Sequence, residues 1–313
     1  MKAVLDSLAS LKPKPIEKLT PAQARKQPGP PQAVMALLKK QGKSTDPEPV
    51  GKVENRTVPG PGGSIPVRVY TPEGDGPFPV LIYSHGGGWV IAGIQAYDSS
   101  CRALCNAAKC VVISVGYRYA PENRFPSAHE DVYAATQYII RHADQFGGDP
   151  KKVAIGGESA GGNLSTAVCL MARDRKGLMP VHQLLVYPLT DTRPNTPSIK
   201  ENYTAKPLNG PMLPWFLKYT ISKPSDKNSP YLAVLRNPNL KGLPPATVIT
   251  AQIDPLRSEG KAYADRLQKS GVPVRYKNYN GVTHEFFGMG AIVPEAKDAE
   301  MYAVDQLKKT FGI

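Results

Sequence analysis

The stretch that most constrains this chain is Gly157-Glu158-Ser159-Ala160-Gly161. It lies between an apolar run, Lys152-Val153-Ala154-Ile155-Gly156, and a helix-like run, Asn163-Leu164-Ser165-Thr166-Ala167-Val168. A buried strand that turns at once into a helix leaves no room for side chains beside the turning residue, and glycine is what fits there. The pattern therefore predicts a strand–turn–helix with Ser159 at its apex and the hydroxyl lifted out of the sheet as a nucleophile. Taken alone, the pentapeptide is equally compatible with an ordinary strand-to-helix turn, so its meaning depends on the rest of the chain.

Upstream, the apolar run Pro79-Val80-Leu81-Ile82 leads into Tyr83-Ser84-His85-Gly86-Gly87-Gly88-Trp89. Consecutive glycines after a buried strand leave backbone N–H groups bare, as a site for a developing oxyanion requires. The expected donors are the N–H groups of Gly87, Gly88 and Ala160, with His85 and Gly86 ordering the loop. A phosphate-binding loop would instead have a helix opening from the glycines and usually a Lys-Ser/Thr pair, and neither appears.

A serine nucleophile needs a base, and the chain has five histidines. His129 and His142 fall in or beside a helical stretch from Ala128 to Ala143, and His182 opens the strand Gln183-Leu184-Leu185-Val186-Tyr187. A lone histidine on such an element is usually structural. His284 sits in a turn-rich loop, Asn280-Gly281-Val282-Thr283-His284-Glu285-Phe286, after the strand Val274–Tyr279, and is the expected base. For the acid, Asp254 follows the buried run Ala246–Ala251, comes after the serine and before the histidine, and precedes a helix-like segment from Gly260 to Ser270. That chain order, Ser then Asp then His, favours it. Asp191, in Tyr187-Pro188-Leu189-Thr190-Asp191, is the rival.

These residues together resemble the hormone-sensitive-lipase-like group of α/β-hydrolases, which includes bacterial carboxylesterases. The resemblance rests on His85-Gly86-Gly87-Gly88, Gly157-Glu158-Ser159-Ala160-Gly161-Gly162-Asn163, Tyr117-Arg118-Tyr119-Ala120-Pro121-Glu122, Phe125-Pro126, Glu130-Asp131 and Asp254-Pro255-Leu256-Arg257. It spans about Val80 to Phe287. Glu158 stands where the group usually has Asp or Thr, and Ser258 where Asp is common. Arg118 and Asp131 are expected to form a structural ion pair.

The chain has 313 residues, 41% hydrophobic and 21% charged, enough for one α/β domain with a sizeable core. Alternating buried strands and helical runs predict an α/β-hydrolase fold, a mostly parallel sheet covered on both faces. Two stretches lack strand pattern: residues 1–50, with helices expected over Met1–Leu11 and Pro31–Gln41, and residues 192–231. The resemblance implies that both form a helical cap over a catalytic domain of residues 51–313. The expected pocket-wall residues are Trp89, Tyr203, Leu208, Met212, Trp215, Phe216 and Phe287.

The formal charge is +13, but the lysines are scattered, in pairs such as Lys39-Lys40 and Lys308-Lys309, with no long basic run. Solvation explains this better than a nucleic-acid surface. Cys101, Cys105, Cys110 and Cys169 lack metal-ligand spacing and read as buried free thiols; no metal or cofactor is implied. No signal core or membrane span is visible, so a cytoplasmic enzyme is expected, although a removed signal peptide would leave no trace. Homodimerisation is left open.

The function expected is a serine carboxylesterase acting on a small-molecule ester of short to medium acyl chain. An amidase or thioesterase on the same triad remains open. Plant gibberellin receptors resemble the same family and hold a hormone without turnover, but they lack the catalytic histidine, so Ser159, Asp254 and His284 together favour chemistry.

Overall fold

The computed structural model describes residues 1–313. Its strands are β1 (Lys52–Gly60), β2 (Gly63–Thr71), β3 (Phe78–Ser84), β4 (Val111–Val115), β5 (Gly148–Glu158), β6 (Gln183–Val186), β7 (Ala246–Ile253) and β8 (Val274–Thr283). They form one sheet in the order β1-β2-β4-β3-β5-β6-β7-β8. β2 is antiparallel to both its neighbours, and every pair from β4 to β8 is parallel.

The helices are α1 (Lys2–Ser10), α2 (Pro21–Ala24), α3 (Pro30–Lys40), α4 (Asp98–Ala108), α5 (Ser127–Arg141), α6 (Ala160–Asp174), α7 (Pro197–Glu201), α8 (Met212–Thr220), α9 (Arg257–Lys269) and α10 (Pro294–Phe311). Both faces of the central strands are buried, which is why β3 and β4 read as unbroken apolar runs. The two-residue period still assigns their sides. Val80 and Ile82 pack with residues of α5, α6 and α9, whereas Leu81 and Tyr83 pack with residues of α4 and α10.

One strand expectation needs correcting. β8 runs on to Thr283 rather than ending at Tyr279, because Gly281, at φ 73°, lets the chain stay paired through a bulge opposite Gln252. The antiparallel β1–β2 hairpin was not anticipated: β1 is an edge strand with only Val58 fully buried, although Ile65, Val67 and Val69 alternate along β2.

The first fifty residues bury Val4, Leu8, Ala33 and Leu37 in the α4/α10 core, and Ala24 in the other. Ser7 Oγ ties α1 to α3 by donating to the Ala33 carbonyl at 2.8 Å. α8 adds Met212, Leu213, Trp215 and Phe216 to the core on the α5/α6/α9 side. No helix is long and apolar enough to cross a membrane.

Candidate active site

Ser159 occupies the turn between β5 and α6 with φ 57° and ψ −117°, a backbone strained for a residue bearing a Cβ. The turn closes tightly: a Cβ on Gly161 would overlap the Ser84 carbonyl of β3. Such strain persists only where the surroundings over-determine it, and here β5 from Val153 to Glu158 and α6 from Ala160 to Ala172 are buried.

β7 and β8 end beside this turn and bring in the other two residues. His284 Nε2 lies 3.0 Å from Ser159 Oγ, and its Nδ1 lies 2.8 Å from Asp254 Oδ2. Asp254 Oδ1 accepts the Leu256 N–H at 2.8 Å, which fixes the carboxylate. Both side chains are buried, His284 2% and Asp254 0% exposed. A carboxylate only accepts, so Nδ1 donates to it and leaves Nε2 free to take the serine proton. Burial alone would push the His284 pKa down, but Asp254, with Glu285 and Glu158 behind it, wins and raises it above 6.5.

The glycine loop faces the serine. Gly87, Gly88 and Trp89 all have positive φ, at 92°, 58° and 62°. The Gly86 carbonyl is engaged by His85 Nδ1 at 2.8 Å and by the Tyr117 hydroxyl at 3.2 Å. In a trans peptide the C=O and N–H point oppositely, so these bonds also orient the Gly87 N–H. The Ser159 carbonyl accepts from Asn163 and Leu189, which orients the Ala160 N–H in the same way. His85 stacks on Tyr117 at 4.2 Å and, because it is buried, its pKa falls to about 4. It is therefore neutral at ordinary pH.

The remaining histidines stand apart from the serine. His129 pairs with Asn163 Oδ1 at 3.1 Å and His182 with Thr247 Oγ1 at 2.9 Å, while His142 packs on Tyr138. Asp191 does not reach His284; it is ion-paired with Arg193 at 2.7 Å and Arg236 at 2.9 Å. Arg118 forks onto Asp131 at 2.8 and 2.7 Å, an ion pair with no path to the serine.

A cavity of about 1100 Å³ opens on Ser159 and His284. Gly87, Gly88, Leu208, Met212 and Phe216 line it, and the N-terminal segment adds Arg25, Met35 and Leu38. Four of the expected wall residues do not line it. Trp89 is sealed in the core, 1% exposed, with its ring stacked near His129. Tyr203 turns outward, 54% exposed. Trp215 faces the N-terminal segment, its indole N–H donating to the Leu19 carbonyl at 3.0 Å. Phe287 is wholly buried in the α4/α10 core.

The sequence reading missed a set of buried polar groups behind His284. Glu158 accepts from the Tyr83 hydroxyl at 2.7 Å and also from the Tyr187 hydroxyl, and the Tyr187 ring packs 4.5 Å from the His284 ring. Burial, aided by the charge of Glu285, lifts the Glu158 pKa to about 7 against the pull of these hydroxyls. Glu285, at φ 68°, accepts from the Tyr97 hydroxyl at 2.9 Å and brings Oε1 to 3.8 Å from His284 Nε2. Glu158 and Glu285 sit next to the serine and the histidine in sequence, and that adjacency was the one available signal.

Comparison with known proteins bears on the fold and the family. Residues 81–288 match a family model described as an alpha/beta hydrolase fold. Carboxylesterase NlhH of Mycobacterium tuberculosis is 38% identical over 273 residues, 85% of each chain. Carboxylic ester hydrolase LipN of the same organism is 41% identical over 243 residues, 76% of this chain but only 65% of LipN, just under two thirds. An esterase structure from Pyrobaculum calidifontis superposes with a TM-score of 0.87 at 36% identity, covering 97% of this chain and 96% of that one. A family match over most of the chain, with relatives this similar along most of their length, means that the chain belongs to the α/β-hydrolases, in the hormone-sensitive-lipase-like group that includes bacterial carboxylesterases.

Proposed function

We propose that this carboxylic ester hydrolase cleaves short- to medium-chain acyl esters by transferring the acyl group first to Ser159 and then to water. His284 takes the Ser159 proton as the oxygen attacks the ester carbonyl, and then delivers it to the departing alcohol. Asp254 holds the tautomer and stabilises the imidazolium without itself being protonated. The N–H groups of Gly87, Gly88 and Ala160 receive the oxyanion, each donor typically worth about 3 to 4 kcal/mol of barrier. A water deprotonated by His284 repeats the cycle on the acyl-enzyme.

The observation that carries this reading is the chain Asp254–His284–Ser159, bonded at 2.8 and 3.0 Å and opening into a cavity. Residues 1–50 and 192–231 act as the cap over that cavity, and Leu208, Met212 and Phe216 limit the acyl length it admits. Hydrolysis of nitrophenyl esters from acetate to palmitate tests the proposal. The expected optimum lies at roughly C2 to C8, set by the enclosed volume; a preference for palmitoyl over butyryl esters would contradict it.

A further inference from the structure

The N-terminal segment reaches the glycine loop through one side chain. Arg25, directly after α2, donates from Nε to the Val90 carbonyl at 2.8 Å and from Nη2 to the Ala120 carbonyl at 2.7 Å. Its outer edge forks onto Glu122 at 2.8 and 2.7 Å, and the guanidinium lies over the Tyr119 ring. The Glu122 side chain is 57% exposed, so the ion pair itself adds little stability. The two carbonyl bonds face inward, toward the loop.

Following the peptide planes from Val90 leads to the oxyanion site. The Val90 C=O is held by Arg25, so the Ile91 N–H on the same peptide points the other way, and it donates to the Gly87 carbonyl at 3.0 Å. The Trp89 C=O is held by the Ala120 N–H at 2.9 Å, and the Val90 N–H on that peptide also donates to the Gly87 carbonyl at 3.0 Å. With its carbonyl taken from outside, the Gly87–Gly88 peptide presents the Gly88 N–H inward, where it makes no other backbone hydrogen bond. Successive hydrogen bonds polarise one another, and here a permanent cation heads the series.

We propose that Arg25 is a positioning residue for the oxyanion site, aligning and polarising the Gly88 N–H through two peptide planes. The N-terminal segment then contributes to turnover as well as to enclosure. This inference rests on the Gly88 N–H being an oxyanion donor.

Kinetics on nitrophenyl butyrate, with inhibition by a trifluoromethyl ketone that forms a tetrahedral adduct on the serine, test it. Arg25→Ala is expected to lower kcat roughly 10- to 100-fold with little change in KM, less than the loss of a whole donor. Ketone affinity should fall by the same factor as kcat/KM. Glu122→Gln, which keeps both carbonyl bonds, should behave as wild type, and Arg25→Lys should fall between. The proposal is overturned if Arg25→Ala keeps kcat and ketone affinity within about twofold of wild type, or if Glu122→Gln is impaired equally. Should Arg25→Ala not fold, Arg25→Lys with unaltered kcat and ketone affinity overturns it as well. A wild-type enzyme that the ketone does not inhibit would instead sink the oxyanion reading itself.

Discussion

In the proposed mechanism Ser159 and His284 act as one unit, because the imidazole supplies the basicity that the hydroxyl lacks. Ser159→Ala is therefore expected to stay folded and to lose esterase activity by roughly 10⁴- to 10⁶-fold; near-normal turnover would place the nucleophile elsewhere. The base must be neutral to accept a proton, and the surrounding carboxylates hold the His284 pKa above 6.5. So kcat/KM should rise with pH through an ionisation above 6.5. Glu285→Gln removes a negative charge 3.8 Å from Nε2 and should move that midpoint down; an unmoved or raised midpoint would exclude this coupling. Ser159 and Asp254 could be singled out because each follows a readable buried run, and His284 because it follows a readable alternating one, and the structure joins them in one hydrogen-bonded chain. Tyr83, Tyr97 and Tyr187 could not, since they converge on the two glutamates from three separate segments. The pocket wall was half legible for a related reason. Apolar residues of one short helix look alike in sequence, yet Phe216 faces the cavity and Trp215 faces Leu19.

The elements differ in how they meet the site. The sheet and α6 hold Ser159 rigidly, whereas α1 to α3 face it across the cavity and the N-terminal segment bonds to the glycine loop through Arg25. Deleting residues 1–48 removes Val4, Leu8, Ala33 and Leu37 from the core and should lower the melting temperature while leaving a cooperative transition. It also removes Arg25, Met35 and Leu38 from the cavity wall. Activity should consequently fall further than stability, with a changed acyl preference, because an opened pocket admits water and orders substrate poorly. Unchanged kinetics across the acyl series would make the segment a peripheral decoration. α8 bears on length more directly. Phe216→Ala shortens the wall beside Gly88 and should shift the optimum toward longer acyl chains, read from kcat/KM ratios of decanoate to butyrate esters.

At the scale of the whole molecule, buried ionisable groups set how stability depends on pH. Burial raises Glu158 and Glu300 to about 7 and Glu259 to about 8, above the ordinary glutamate range near 4.3. The folded state then binds more protons than the unfolded one, so this contribution is lost as pH climbs from about 4.5 to 8. His85, His129 and His182 act oppositely: burial lowers each to about 4, and their contribution is lost as pH falls below 6.5. Above pH 6.5 the carboxyls remain, joined by His284, whose raised pKa acts in the same sense, and the melting temperature should decline from pH 6.5 to 8.5, less steeply in Glu300→Gln. A rising melting temperature over that window would contradict these assignments. The fold that holds these groups was legible in its parallel centre, where strands are apolar throughout, and was not read at the β1–β2 edge, where β1 buries only Val58 and the alternation is confined to β2. The most direct test of the chemistry is to find where an acyl-like group attaches. Treating the enzyme with diethyl nitrophenyl phosphate and mapping the adduct by mass spectrometry should give one diethylphosphoryl group, on Ser159, with activity lost in proportion to labelling. Complete inactivation with an unmodified Ser159, or full labelling of Ser159 with activity retained, would contradict the mechanism.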